Sequence, residues 1–115
     1  MITGAHTILY AEDPVRARAF FRDVLGWPNV DAGDGWLIFK SPPAEIAMHP
    51  TADGTERHEL WLMCDDVAAT RRQLEERGVV FTRAISEARF GLITELEVPG
   101  AGRIGLYQPR HPTAV

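Results

Sequence analysis

The chain has 115 residues, a 45% hydrophobic fraction and a formal charge of −4, the size and composition of one compact globular domain. The acidic balance argues against nucleic acid as a partner, since phosphate binding wants a basic surface, and no apolar run approaches the ~20 residues that span a bilayer. Its one cysteine, Cys64, excludes an intramolecular disulfide and reads as a core thiol. The start of the sequence shows neither a basic leader nor an apolar stretch of leader length, so a cytoplasmic setting is expected.

In chain order, a first strand is expected around His6-Thr7-Ile8-Leu9-Tyr10. Asp13 then offers a helix N-cap, and Pro14 suits the first helical position, where its missing N–H costs nothing. Val15, Ala19, Phe20 and Val24 fall close to one face of that helix. Gly26 supplies a left-handed stop, and Trp27-Pro28 follows it. Three extended segments are expected next, at about 29–32, 36–40 and 44–49, separated by the turns Gly33-Asp34-Gly35 and Ser41-Pro42-Pro43. A polar linker runs from Pro50 to Arg57.

The same order then recurs. Glu59-Leu60-Trp61-Leu62-Met63-Cys64 is a strand, Asp66 a cap, Val67, Thr70, Arg71 and Leu74 a helix stripe, and Gly78 a stop. Strands follow at about 80–85, 91–98 and 103–108, with Pro99-Gly100-Ala101-Gly102 as the last turn. The Arg71, Arg72 and Arg77 side chains sit among Glu75 and Glu76, so this helix face is expected to be solvated. The fold class is therefore α+β: two tandem βαβββ modules, about 2–50 and 58–110, in one domain covering 1–115. Together they are expected to form a curved, eight-stranded mixed sheet with the helices on its outer face and a cavity inside.

Strand alternation separates the two faces of this sheet. Leu9, Ile46, Met48, Leu60, Leu62, Ile104 and Leu106 form an aliphatic set that should pack beneath the helices. His6, Tyr10, His49, Glu59, Trp61 and Tyr107 form the other set. A solvent face would carry fewer large aromatics, and a core would not hold a carboxylate and two histidines. Aromatic walls with a few polar groups are what a small-molecule cavity needs. Packing between sheets or between subunits would use the same residue types. Residues 110–112 are expected to be a solvated tail, a cover over the cavity of a neighbouring subunit being the alternative, and Glu45, at a strand end, ranks below His49.

The segment from His6 to Pro14, with Phe20-Phe21-Arg22-Asp23-Val24-Leu25-Gly26-Trp27, resembles the opening of vicinal oxygen chelate proteins. That superfamily includes glyoxalase I, extradiol dioxygenases and bleomycin-resistance proteins. Cys64-Asp65-Asp66-Val67 leading to Leu74-Glu75-Glu76-Arg77-Gly78-Val79, and the closing stretch from Pro99 to Tyr107, resemble its second module and final hairpin. Metal-dependent members take one ligand from each of the first, fourth, fifth and eighth strands. The resemblance puts His6 at the first of these positions and Glu59 at the third. The other two are Ala47 and Gly105, which carry no donor.

His49 lies two residues beyond Ala47 on the same strand face. With His6 and Glu59 it completes a two-histidine, one-carboxylate set of the kind that holds iron, with zinc, nickel or manganese as other candidate ions. The resemblance implies two functions. The first is a metal-assisted lyase, isomerase or dioxygenase acting on vicinal oxygens, with His49 as base or ligand and Tyr107 as a hydrogen-bond donor. The second is a metal-free binding protein that stacks a small organic molecule on Tyr10, Trp36, Trp61 and Tyr107. A homodimer is expected for either, and no contact with membranes.

Overall fold

The computed structural model describes residues 1, 4 and 6–115. The first helix, α1, spans Pro14–Ala19 and runs on into a π-helical turn, Phe20–Val24. As its capping residue predicts, the Asp13 carboxylate accepts from the Arg16 backbone N–H at 3.1 Å. The turn closes at Gly26, whose φ of +70° suits a residue without Cβ. Ala17, Phe20 and Phe21 are buried, whereas Val15 is 71% exposed. The helix therefore presents a face rotated from the expected one, and Val15 is not part of the core.

Two short strands follow, β1 (Asn29–Asp31) and β2 (Leu37–Phe39), paired antiparallel as a small sheet of their own. The second module is more fully built. It comprises β3 (Trp61–Met63), α2 (Val67–Glu76), β4 (Phe81–Ala88), β5 (Gly91–Glu97) and β6 (Arg103–Pro109). Its four strands lie in the order β3-β6-β5-β4, with β3 parallel to β6 and the other pairs antiparallel. Asp66 caps α2 by accepting from the Ala69 N–H at 3.0 Å.

Among the described residues there are thus six strands where eight were expected, in sheets of two and four. The missing pair is the first, around His6–Tyr10, and the fourth, around Ala44–His49, neither of which has strand pairing. The repeat explains the difference. In the second module the counterpart pair is β3 with β6, and β6 is held along its whole length by β5, from Gly91↔Pro109 to Glu97↔Arg103. That long antiparallel ladder is the template for a three-residue parallel pair. In the first module Pro42, Pro43 and Pro50 flank the segment that would serve as template, and each lacks the N–H a ladder requires. Ile46 and Met48 were expected beneath the helices; without a ladder to hold them they stand 80% and 86% exposed.

The core is one cluster in which Ala17, Phe20 and Phe21 meet Val67, Val79, Leu96, Val98, Ile104 and Leu106. Leu9, Leu60, Leu62 and Leu74 pack against its edge, as their alternation or helical spacing predicts. The Asp13 N–H donates to the Gly100 carbonyl at 3.0 Å, and Arg77 donates to the Val24 carbonyl at 3.2 Å. These bonds tie the start of the first helix and the end of the π-turn to the second module. Arg71 is not a solvated residue. It reaches inward to the Arg83 carbonyl at 2.8 Å and the Thr94 hydroxyl at 3.3 Å, its guanidinium lying over the Phe81 ring. Among the described residues no helix is long and apolar enough to cross a membrane.

Candidate functional site

Residues of β3 and β6 that alternate away from the helices carry the candidate site. Trp61 is the register partner of Gly105, and Met63 that of Tyr107. Because position 105 has no side chain, the Trp61 indole lies directly across it. A Cβ built on Gly105 would come within 2.2 Å of the indole ring. Phe90, at the turn between β4 and β5, completes the cluster. Its ring centroid is 5.6 Å from Trp61 and 5.3 Å from Tyr107, and Trp61 and Tyr107 are 5.9 Å apart. All three pairs are edge-to-face, the geometry that aligns ring edges with ring faces.

Polar groups rim this cluster. The Trp61 indole N–H donates to the Glu59 carboxylate at 2.9 Å, and Arg57 donates to the same group at 3.2 Å. The Trp61 hydrogen bond first, then that of Arg57, pulls the Glu59 carboxyl below its ordinary range, with the charges of Arg57 and His49 acting in the same direction. Glu59 is therefore a carboxylate at neutral pH. Tyr107 shifts the other way: burial, and secondarily the Glu45 charge, raises its hydroxyl above the usual phenol value. It stays protonated and can donate. That hydroxyl meets His111 Nε2 at 3.2 Å, with the two rings stacked at 6.0 Å.

The other expected site residues lie apart from this cluster. Trp36 is capped by the Arg18 guanidinium at 4.6 Å, beside α1. Tyr10 is 90% exposed, and His6 and His49 are exposed on the segments that lack ladders. Among the described residues no group of three or more His, Cys, Asp or Glu side chains comes close enough together to hold a metal ion. A first-row ion wants at least three protein donors, so within this chain His6, His49 and Glu59 do not fit that requirement.

Sequence reasoning did not single out Phe90, ranked Glu45 below His49, and read His111 as part of a solvated tail, with a cover over a neighbouring subunit's cavity as the alternative. Phe90 had a signal, an aromatic in a turn where a polar residue is usual. His111 had none beyond being a histidine beside Pro112. Open depressions lie at two places among the described residues. One, of about 440 Å³, is lined by Met63, Cys64, Asp65, Gln108 and residues of the final segment including His111. The other, of about 370 Å³, lies over the apolar pair Val30 and Ile38 of the small sheet. Burial raises the Cys64 thiol above its ordinary value, so this group is not an activated nucleophile.

Comparison with known proteins decides the family. The sequence model of the Glyoxalase/Bleomycin resistance protein/Dioxygenase superfamily matches residues 4–96. The chain belongs to this superfamily. Among solved structures, it is similar to TnmS3, an antibiotic binding protein from a Streptomyces species, at 25% identity and a TM-score of 0.64, covering 95% of this chain and 99% of that one. It is also similar to lactoylglutathione lyase from Agrobacterium tumefaciens, at 20% identity and a TM-score of 0.64, with 92% of each chain covered. A superfamily member from Sphaerobacter thermophilus aligns at 20% identity and a TM-score of 0.62, covering 93% and 98%. No curated protein matches significantly. Similar folds thus serve a lyase and an antibiotic binding protein, so the function of this chain has to be argued from its site residues and not from its fold.

Proposed function

We propose that this chain is a metal-free small-molecule binding protein whose ligand is a planar aromatic compound, an antibiotic-type molecule in chemical character. The observation that carries this reading is the Trp61 indole lying over Gly105. Where metal-dependent relatives place their last ligand, this chain has an aromatic platform, and any side chain at 105 would displace it. Ala47, the fourth-strand position, offers no donor either. Trp61, Phe90 and Tyr107 supply apolar contact, while Glu59 and the Tyr107 hydroxyl supply orientation. The likeness to an antibiotic binding protein over nearly all of both chains supports the same reading. The functional unit is the single domain 1–115 in a cytoplasmic setting, which the half-buried free thiol suits, and it acts as a homodimer.

The test is titration of two planar aromatic probes, the cation proflavine and the anion anilinonaphthalene sulfonate, followed by tryptophan fluorescence. The expected outcome is saturable quenching, stronger for the cation because Glu59 and Glu45 border the site, and weakened in Trp61→Phe. Linear, non-saturating quenching by both probes defeats the reading.

A second reading is a metal-assisted lyase, isomerase or extradiol-type dioxygenase on a substrate with vicinal oxygens. The superfamily whose model matches residues 4–96 is described by its glyoxalases and dioxygenases, and that membership supports it. In that reading His6, His49 and Glu59, which the structure does not bring together, would have to gather as the ligand set, with Tyr107 donating to the substrate. Metal analysis of protein purified without chelator, before and after supplying Fe(II), Zn(II), Ni(II) or Mn(II), tests it; stoichiometric retention favours it, and none retained removes it.

A further inference from the structure

Residues 110–115 do not run free into solvent. The Arg110 N–H donates to the Phe90 carbonyl at 2.9 Å, and its guanidinium reaches Glu87 at 3.3 Å. The chain then turns so that the His111 ring stacks on Tyr107 and its Nε2 meets the Tyr107 hydroxyl at 3.2 Å. Beyond the turn, the Ala114 N–H donates to the Glu45 carboxylate. His111, Thr113 and Val115 line the depression of about 440 Å³ together with Met63, Cys64, Asp65, Gln108 and Pro109. A segment of the chain's own backbone is thus anchored at both ends and crosses the polar tip of the Tyr107 ring.

We propose that residues 111–115 are an internal strap that occupies the Tyr107 end of the ligand site and must move aside when ligand binds. The inference rests on the binding function proposed above. His111 is itself a flat aromatic ring held against Tyr107 by stacking and one hydrogen bond, the same two interactions a planar ligand would make there. Strap and ligand therefore compete for one surface. Few contacts hold the strap: Pro112, Thr113, Ala114 and Val115 are all exposed. Such a segment opens at little cost. If the strap is closed for most of the time, the apparent affinity falls in proportion to the open fraction.

The experiment compares the full chain, His111→Ala and a chain ending at Arg110, each titrated with proflavine by fluorescence and stopped flow. Two variants are used so that a folding defect in one leaves the other informative. Both are expected to bind roughly five- to tenfold tighter, as removing a strap closed about 80–90% of the time requires, with the gain in the association rate. Unchanged or weaker binding in both variants overturns the strap, and weaker binding would make His111 a ligand contact instead. Proton NMR of the free full chain separates this from failure of the binding function itself. His111 ring protons shifted upfield by the Tyr107 ring support the strap even if no probe binds; random-coil positions overturn it.

Discussion

Glu59 shows how one carboxylate is committed by its neighbours. Trp61 and Arg57 both donate to it, so its folded-state affinity for protons lies below the ordinary value of 4.5. A group depressed in this way stabilises the fold above its unfolded value, and that contribution is lost as pH falls through the folded value. The side chain is about half exposed, so the effect is small and screened by salt. The expected outcome is that the urea midpoint of the parent falls more between pH 6 and about pH 3 than that of Glu59→Gln. All other titrating groups are common to both chains, so the difference isolates this carboxylate. Parallel pH profiles would mean that Trp61 and Arg57 do not hold it. At this scale the sequence was legible in part. Alternation put Glu59, Trp61 and Tyr107 on one sheet face, and the structure does make them neighbours. The indole sitting over Gly105 was not legible, because it depends on the parallel register of β3 and β6, which no local pattern encodes.

Elements whose signals were local were found nearly in place. Both N-caps, both glycine stops and the strands β1, β2, β4, β5 and β6 follow from capping residues, turn residues and alternation. The π-helical turn was not foreseen, since a widened turn still keeps Phe20 and Phe21 apolar and adjacent. The first and fourth strands were overcalled for a physical reason: alternation says which face a strand would bury, and nothing about whether a partner edge exists. Contacts between modules were equally invisible in the sequence, and Gly100 is the case to test. Its φ is +80°, and a Cβ there would lie 2.5 Å from the Asp13 carbonyl oxygen. Gly102 has a similar φ of +75° with open space around it. Gly102→Ala is therefore expected to cost about 1 kcal/mol, the left-handed penalty alone. Gly100→Ala should cost roughly 2–4 kcal/mol, because it also expels the helix cap that donates to the Gly100 carbonyl. Urea unfolding with an unchanged m-value measures both. Equal costs would show that the cap and the loop do not depend on each other.

At the scale of the whole molecule the two modules are unequal. The second has a four-stranded sheet, a capped helix and most of the core; the first exposes Ile8, Tyr10, Val30, Ile38, Ile46 and Met48. The radius of gyration, 15.0 Å, exceeds the roughly 13 Å expected for a compact domain of this length. The exposed apolar residues of the first module include Ile46 and Met48 on one of two segments without ladders, and those segments leave backbone donors and acceptors without sheet partners. The proposed homodimer answers both, since a second copy brings an equal and complementary surface and can supply partner edges across a two-fold axis. The chain is therefore expected to sediment as a dimer at micromolar concentration. Met48→Glu and Ile46→Glu place charges on residues that touch no core, so they should shift the mass toward monomer while leaving the far-ultraviolet spectrum and the urea midpoint of the monomer unchanged. Sedimentation equilibrium across a concentration series decides this. A parent chain that is monomeric throughout defeats the dimer, and a dimer that both charged variants retain moves its interface away from these residues. The aromatic cluster on β3 and β6 lies within one chain, so monomeric variants should still quench on proflavine. Loss of that response together with the dimer would instead mean that the site needs residues from both copies.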